Sequence, residues 1–176
     1  MRPGEHAVGP LDASVTLVEY GDYECPYSGR ANLVLQVVLA ELGDSVRLVY
    51  RNFPVPDRHP HAAAAAGAAE SVAAHAGEAA FWEMHAMLFE NQDALEIDDL
   101  LAYADAAGAA EAEVASDLST GAMRGRVDAD IRSGIEAGVA GTPTFLVNGR
   151  RFDGDWSDAD AFTEALRAAG HQRASH

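Results

Sequence analysis

The chain has 176 residues, the length of one domain with ample material for a hydrophobic core. Its 12 Lys and Arg stand against 28 Asp and Glu, a formal charge of −16, so neither nucleic acid nor an anionic membrane surface is an expected partner. No run of about 18 apolar residues is present, and Met1-Arg2-Pro3-Gly4-Glu5-His6 lacks the apolar stretch of a secretory signal, so no membrane span and a cytoplasmic location are expected.

In chain order, Ser14 to Tyr20 is rich in β-branched residues and predicts a first strand. Pro26 suits the first turn of a helix, where a missing N–H costs nothing. Leu33, Val34, Val37, Val38, Glu41 and Leu42 recur at helical spacing, and Gly43 is a plausible stop. Ser45 to Arg51 predicts a second strand, broken by Asn52-Phe53-Pro54-Val55-Pro56. From His61 to Gly138 the pattern is helical. An Ala-rich helix covers 61–76, and a second carries Phe81, Trp82, His85, Leu88 and Phe89 on one face. A third starts near Asp98, and two more run over Val114–Leu118 and Val127–Ile135. Thr144 to Val147, the turn Asn148-Gly149 and Arg150 to Asp153 form a predicted hairpin. A last helix opens at Ser157 as N-cap, buries Phe162, Ala165, Leu166 and Ala169, and stops at Gly170. The order is β-α-β, a helical block, then β-β-α. It predicts an α/β fold with an all-helical insertion, as one domain over 1–176. The α/β core would cover 12–58 and 139–170, and the insertion 59–138.

Cys25 is the only cysteine, so no internal disulfide is available. It stands in Glu24-Cys25-Pro26-Tyr27-Ser28, a redox-type C-x-x-C motif whose second sulfur is replaced by the Ser28 oxygen. The predicted strand–Cys-Pro–helix context puts Cys25 at a helix N-terminus, where unpaired N–H groups and the positive end of the macrodipole favour a thiolate. Asp22 and Glu24 are expected at the surface, as charges opposing that effect. His59 and His61 flank Pro60 with no close third and fourth ligands, so no metal site is expected, and His85 is expected as a core histidine.

Five segments in this order resemble DsbA-like thiol–disulfide oxidoreductases of the thioredoxin superfamily. They are Val18 to Tyr27, Arg51-Asn52-Phe53-Pro54, His59-Pro60-His61-Ala62, Phe81-Trp82-Glu83-Met84-His85 and Gly141-Thr142-Pro143-Thr144-Phe145. The resemblance covers nearly the whole chain and implies a thioredoxin-like fold with a helical insertion. It also implies an enzyme in which the Cys25 thiolate attacks a disulfide and forms a mixed disulfide. The departure is Ser28, where the family carries its resolving cysteine. Ser28 cannot resolve a mixed disulfide, although its hydroxyl can donate a hydrogen bond to Cys25 or act as a filler of similar shape. Two origins of Ser28 remain open: a native serine, or a Cys→Ser substitution of the kind that traps complexes.

Further site residues follow from the same resemblance. Pro143 is implied to be cis and to face Cys25, with Thr142 offering backbone groups to an extended peptide. Pro26 and Tyr27 would complete the substrate-binding surface. Glu19 matches a buried acid beneath the motif, a position suited to moving a proton during exchange. Expected partners are cysteine-containing proteins or peptides and low-molecular-weight thiols. No bound cofactor is implied; a low-molecular-weight thiol would serve as co-substrate. Two other readings stand beside this one: a non-catalytic peptide- or thiol-binding module, and a glutathione-transferase- or isomerase-like relative.

Overall fold

The computed structural model describes residues 4–174. Among them the chain forms β1 (His6–Val8), β2 (Val15–Gly21), α1 (Pro26–Leu42), β3 (Val46–Asn52), α2 (Ala62–Ala76), α3 (Glu78–Glu90), α4 (Ile97–Ala106), α5 (Glu111–Thr120), α6 (Arg124–Glu136), β4 (Thr144–Val147), β5 (Arg150–Arg151) and α7 (Ala159–Ala174). The strands make one mixed sheet in the order β1-β3-β2-β4-β5. The central strand β2 is parallel to β3, with Glu19 opposite Tyr50, and antiparallel to β4, with Glu19 opposite Phe145. The predicted α/β order with a helical insertion is the order found.

β2 is buried along nearly its whole length, which explains its near-continuous apolar and β-branched sequence. One sheet face packs Val15, Leu17, Leu48 and Phe145 against Ala31, Leu35 and Val38 of α1 and Phe162 and Leu166 of α7. The inserted helices build a second core from Ala65, Ala69, Phe81, Met84, Leu88 and Leu100, and Tyr23 and Tyr50 enter it from the sheet side. The Ala-rich face of α2 lets its neighbours approach closely: Ala65, Ala66, Ala68 and Ala69 are all buried. The Asn148-Gly149 turn has positive φ at both residues (49° and 82°), as a two-residue hairpin requires.

Two expectations about the last helix are corrected, and two further local features go beyond the sequence reading. β1 precedes the first predicted strand and pairs antiparallel with β3, His6 opposite Tyr50. Leu33 and Val37 point outward on α1 at 64% and 53% exposure, because the buried stripe is Ala31, Leu35 and Val38. The last helix is capped by Asp158, whose Oδ1 accepts from the N–H groups of Asp160 and Ala161, while Ser157 hydrogen-bonds Asp155. That helix also runs through Gly170 to Ala174. Gly170 serves close approach: a Cβ there would lie 2.9 Å from Ser14 Oγ at the start of β2.

Candidate active site

Cys25 is the N-cap of α1 in extended conformation, with Pro26 at the first helical position. The strand–turn–helix context predicted from sequence is therefore realised. The thiol is 4% exposed and donates to the Thr142 carbonyl at 3.4 Å. The Thr142–Pro143 peptide bond is cis. Cys25, Pro26, Tyr27 and Thr142 line one cleft of about 380 Å³, together with Val55, Arg58, His59, Ala140 and Gly141. Tyr27 is 65% exposed at its rim. Pro143 adjoins this lining through Thr142.

Ser28 lies one helical turn after Cys25 and is fully buried. Its Oγ accepts from the Asp22 N–H at 3.3 Å, and among the described residues it makes no bond to Cys25. The hydroxyl thus braces the turn before the helix; of the two roles left open for it, the structure shows no bond to the thiol.

Asp22 is not the surface charge expected. Its side chain is buried, and its carboxylate gathers three segments. Oδ1 accepts from the N–H groups of Glu24 (2.8 Å) and Cys25 (3.2 Å). Oδ2 accepts from the Val55 N–H (2.8 Å) and meets His59 Nδ1 at 2.8 Å. Four partners compensate the burial of this charge, which would otherwise be costly. Glu24 is half-buried and accepts from the His61 backbone (2.6 Å) and contacts its ring at Nδ1 (2.9 Å). His59 and His61 thereby tie the start of the insertion to the cysteine turn.

Glu19 lies in the middle of β2 rather than in the cleft. It is 1% exposed, and its Oε1 has no hydrogen-bond partner among the described residues. Burial pushes its pKa up to about 8, so the carboxyl is mainly protonated at neutral pH. His85 is a core residue, as expected: Nδ1 lies 3.1 Å from the Tyr23 hydroxyl, and burial with the nearby His6 charge lowers its pKa to about 3.

Two features had no signal in the sequence. Gln92, between α3 and α4, donates from Nε2 to the carbonyls of Tyr23 (2.8 Å) and Cys25 (2.9 Å). His6 on β1 stacks on Phe81 at 3.5 Å, with Nε2 3.0 Å from Glu70 and Nδ1 2.8 Å from Glu78. Both contacts span more than 60 positions in the chain, and only the fold brings the partners together.

A family model described as thioredoxin matches residues 1–168. Solved structures of the same fold include BdbD from Bacillus subtilis, with a TM-score of 0.84, 24% identity, and coverage of 96% of this chain and 94% of that one. Wolbachia pipientis α-DsbA1 superposes with a TM-score of 0.83 at 13% identity, over 99% and 95% of the two chains. Among curated relatives, the Na(+)/H(+) antiporter NhaA 3 of Salinispora tropica is 42% identical over 165 residues, covering 94% of this chain and 24% of that protein. NhaA 1 of Mycolicibacterium vanbaalenii is 39% identical over 174 residues, covering 96% and 28%. The chain thus spans about a quarter of the length of these antiporters. Among the described residues, no helix is long and apolar enough to cross a membrane.

Proposed function

The chain belongs to the thioredoxin family and carries the DsbA-like form of its fold, and on that premise we propose that it performs thiol–disulfide exchange through Cys25 as a monothiol. The observation that carries this reading is the placement of Cys25: N-cap of α1, in a cleft, with its sulfur facing the carbonyl before a cis proline. The antiporter names belong to proteins about four times as long, and the proposal concerns the exchange chemistry of the residues matched.

In the first step, the Cys25 thiolate attacks one sulfur of a substrate disulfide. A Cys25–substrate disulfide forms, and the second substrate sulfur leaves as a thiolate that takes up a proton. The attacking sulfur stands at the N-cap of α1. Extended substrate lies along Gly141-Thr142-Pro143, with Pro26 and Tyr27 as the opposing wall. Glu19, mainly protonated at neutral pH, is the proposed proton store, supported by its burial and raised pKa. The second step needs an external thiol. Its thiolate attacks the substrate sulfur of the mixed disulfide, forms a new substrate disulfide and returns Cys25 as thiolate. Ser28 offers no sulfur for this step. Cysteine-containing proteins or peptides are the proposed substrates, and a low-molecular-weight thiol the proposed co-substrate.

The test is intact-mass analysis after incubation with a peptide bearing one disulfide. The expected result is one peptide adduct per chain, stable until a free thiol is added and absent in Cys25→Ala. In Ser28→Cys the adduct is expected to collapse to an internal disulfide with release of the peptide. A folded chain that forms no adduct, under conditions where an unstructured cysteine peptide does, overturns the reading.

A further inference from the structure

Gln92 does not line the cleft, yet it holds the two carbonyls that frame the cysteine turn. Its Nε2 carries two hydrogens, and both are engaged, by Tyr23 O at 2.8 Å and Cys25 O at 2.9 Å. The amide orientation follows from chemistry, since the flipped form would set Oε1 against two carbonyl oxygens. The Cys25 carbonyl is also the first acceptor of α1, receiving the Gly29 N–H at 3.0 Å. Gln92 therefore fixes the Tyr23–Glu24 and Cys25–Pro26 peptide planes and the first helical hydrogen bond together.

The segment that carries Gln92 is itself anchored. Asn91 Nδ2 donates to Met87 O at 2.8 Å at the end of α3, and the Ala94 N–H closes a turn on Asn91 O at 2.9 Å. The Tyr103 hydroxyl of α4 then donates to Ala94 O at 3.0 Å. Below it, the Phe89 and Tyr23 rings pack with centroids 4.9 Å apart. Position 29 has room for this amide only as glycine: a Cβ there would overlap Gln92 Oε1 and lie 2.8 Å from its Cδ.

We infer that Gln92 is a positioning residue for Cys25, through which the helical insertion sets the orientation and reactivity of the thiol. The inference rests on the exchange reading of Cys25 but has a readout independent of it. Removing the two donors leaves both carbonyls to drift, and reacting atoms misplaced by an ångström or less slow a reaction by one to two orders of magnitude. The Gly29 amide, hydrogen-bonded to the same Cys25 carbonyl, reports that drift without any chemistry at sulfur.

The experiment compares the native chain with Gln92→Met, Gly29→Ala and Asn91→Ala. Two quantities are read: the rate of Cys25 with dithiodipyridine, and hydrogen exchange at the Gly29 amide. Gln92→Met keeps length and volume but has no donor, and is expected to slow the reaction on the order of tenfold and to speed Gly29 exchange. Gly29→Ala gives a sharper sign. Helix propensity alone makes it stabilising, whereas displacement of the amide predicts a slower thiol. Asn91→Ala removes one exposed side-chain bond, to Met87 O, while the Ala94 turn, the Tyr103 bond and the Nε2 contacts remain, and is expected to keep the native rate. Native rate and native Gly29 protection in Gln92→Met overturn the inference, as does an equal slowing in Asn91→Ala. A native Cys25 no faster than an unstructured cysteine peptide overturns the exchange reading instead, and Gly29 exchange still decides the role of Gln92.

Discussion

Glu19 is a carboxyl held in the centre of a sheet with one oxygen unpaired, and its pKa of about 8 measures what burial does to the charged form. The sign of its effect on stability follows from linkage. The ordinary value is 4.5, so between that and about 8 the unfolded chain releases a proton that the folded chain retains. Stability supplied by this group is complete at low pH and is lost as pH rises, with a slope approaching about 1.4 kcal/mol per pH unit. Glu19→Gln removes the slope. Urea midpoints are expected to diverge with pH, the variant matching the native chain near pH 5 and exceeding it at pH 9. Parallel profiles would show that the carboxyl ionises as freely folded as unfolded. The burial of Glu19 was an implication of the resemblance, since an acid amid apolar residues on a strand can equally face solvent or an ion pair. The burial of Asp22 was not legible in sequence. An acidic residue in a Gly-Asp-Tyr-Glu run reads as a surface turn, and the four donors that justify its burial come from positions 24, 25, 55 and 59. Gln92 was invisible for the same reason: its partners lie more than 60 residues upstream.

β1 is a strand of three residues, too short for any alternation to announce it, and it is held by its ladder with β3 and by the side chain of His6. The His6 ring lies flat on Phe81 between the carboxylates of Glu70 and Glu78. Burial would lower its pKa, but hydrogen bonds and charge from Glu70 and Glu78 outweigh that and raise it above 6.5. Its stabilisation is therefore fully present below pH 6.5 and lost as pH rises through the folded value. Glu70 is 4% exposed and also accepts from Asn52 Nδ2 at 2.7 Å, so the clamp joins β1, β3 and α2. His6→Phe keeps the stacking and removes the charge. It is expected to cost roughly 2 kcal/mol at pH 6 by removing the charge-assisted bonds to Glu70 and Glu78, Glu70 keeping Asn52 and Arg126, and less at pH 9, by urea unfolding. An equal cost at both pH values would assign the effect to packing alone. The elements with strong local chemistry were read correctly: the Asn148-Gly149 hairpin, the Pro26 start of α1 and the Ala-rich α2. Gly170 misled because a glycine that stops a helix and one that lets a strand approach it look alike in sequence. The outward Leu33 and Val37 show the companion limit, since both belong to an apolar helical pattern whose buried stripe is one step removed.

Across the whole molecule, the predicted division into an α/β core and a helical insertion describes the chain order better than the packing. Tyr23 and Tyr50 belong to the sheet side yet sit in the core of the insertion, their rings 5.3 Å apart and in contact with Phe89 and His85. Trp82 of α3 packs against both major cores. Asp22, Glu24 and Gln92 add hydrogen bonds between the two parts at the cysteine turn itself. Unfolding the insertion alone would expose two buried tyrosines and strip the supports of Cys25, so the two parts are expected to unfold as one unit. The titrating groups act on that unit from both sides. Glu19 and His6 withdraw stability as pH rises, whereas His85, lowered from 6.5 to about 3, withdraws it as pH falls between those values. The two tryptophans make the cooperativity measurable, because Trp82 lies in the insertion and Trp156 packs on Phe145 beside α7, with centroids 6.1 Å apart. With Trp82→Phe and Trp156→Phe each leaving one reporter, fluorescence and far-ultraviolet circular dichroism are compared within each variant along a urea gradient. Coincident midpoints and slopes for the two probes in both variants are the expected result. A Trp82 signal lost at lower urea than the circular dichroism of the same variant would mean that the insertion opens first. The cysteine turn would then lose its Gln92 and His59 supports while the sheet remained folded.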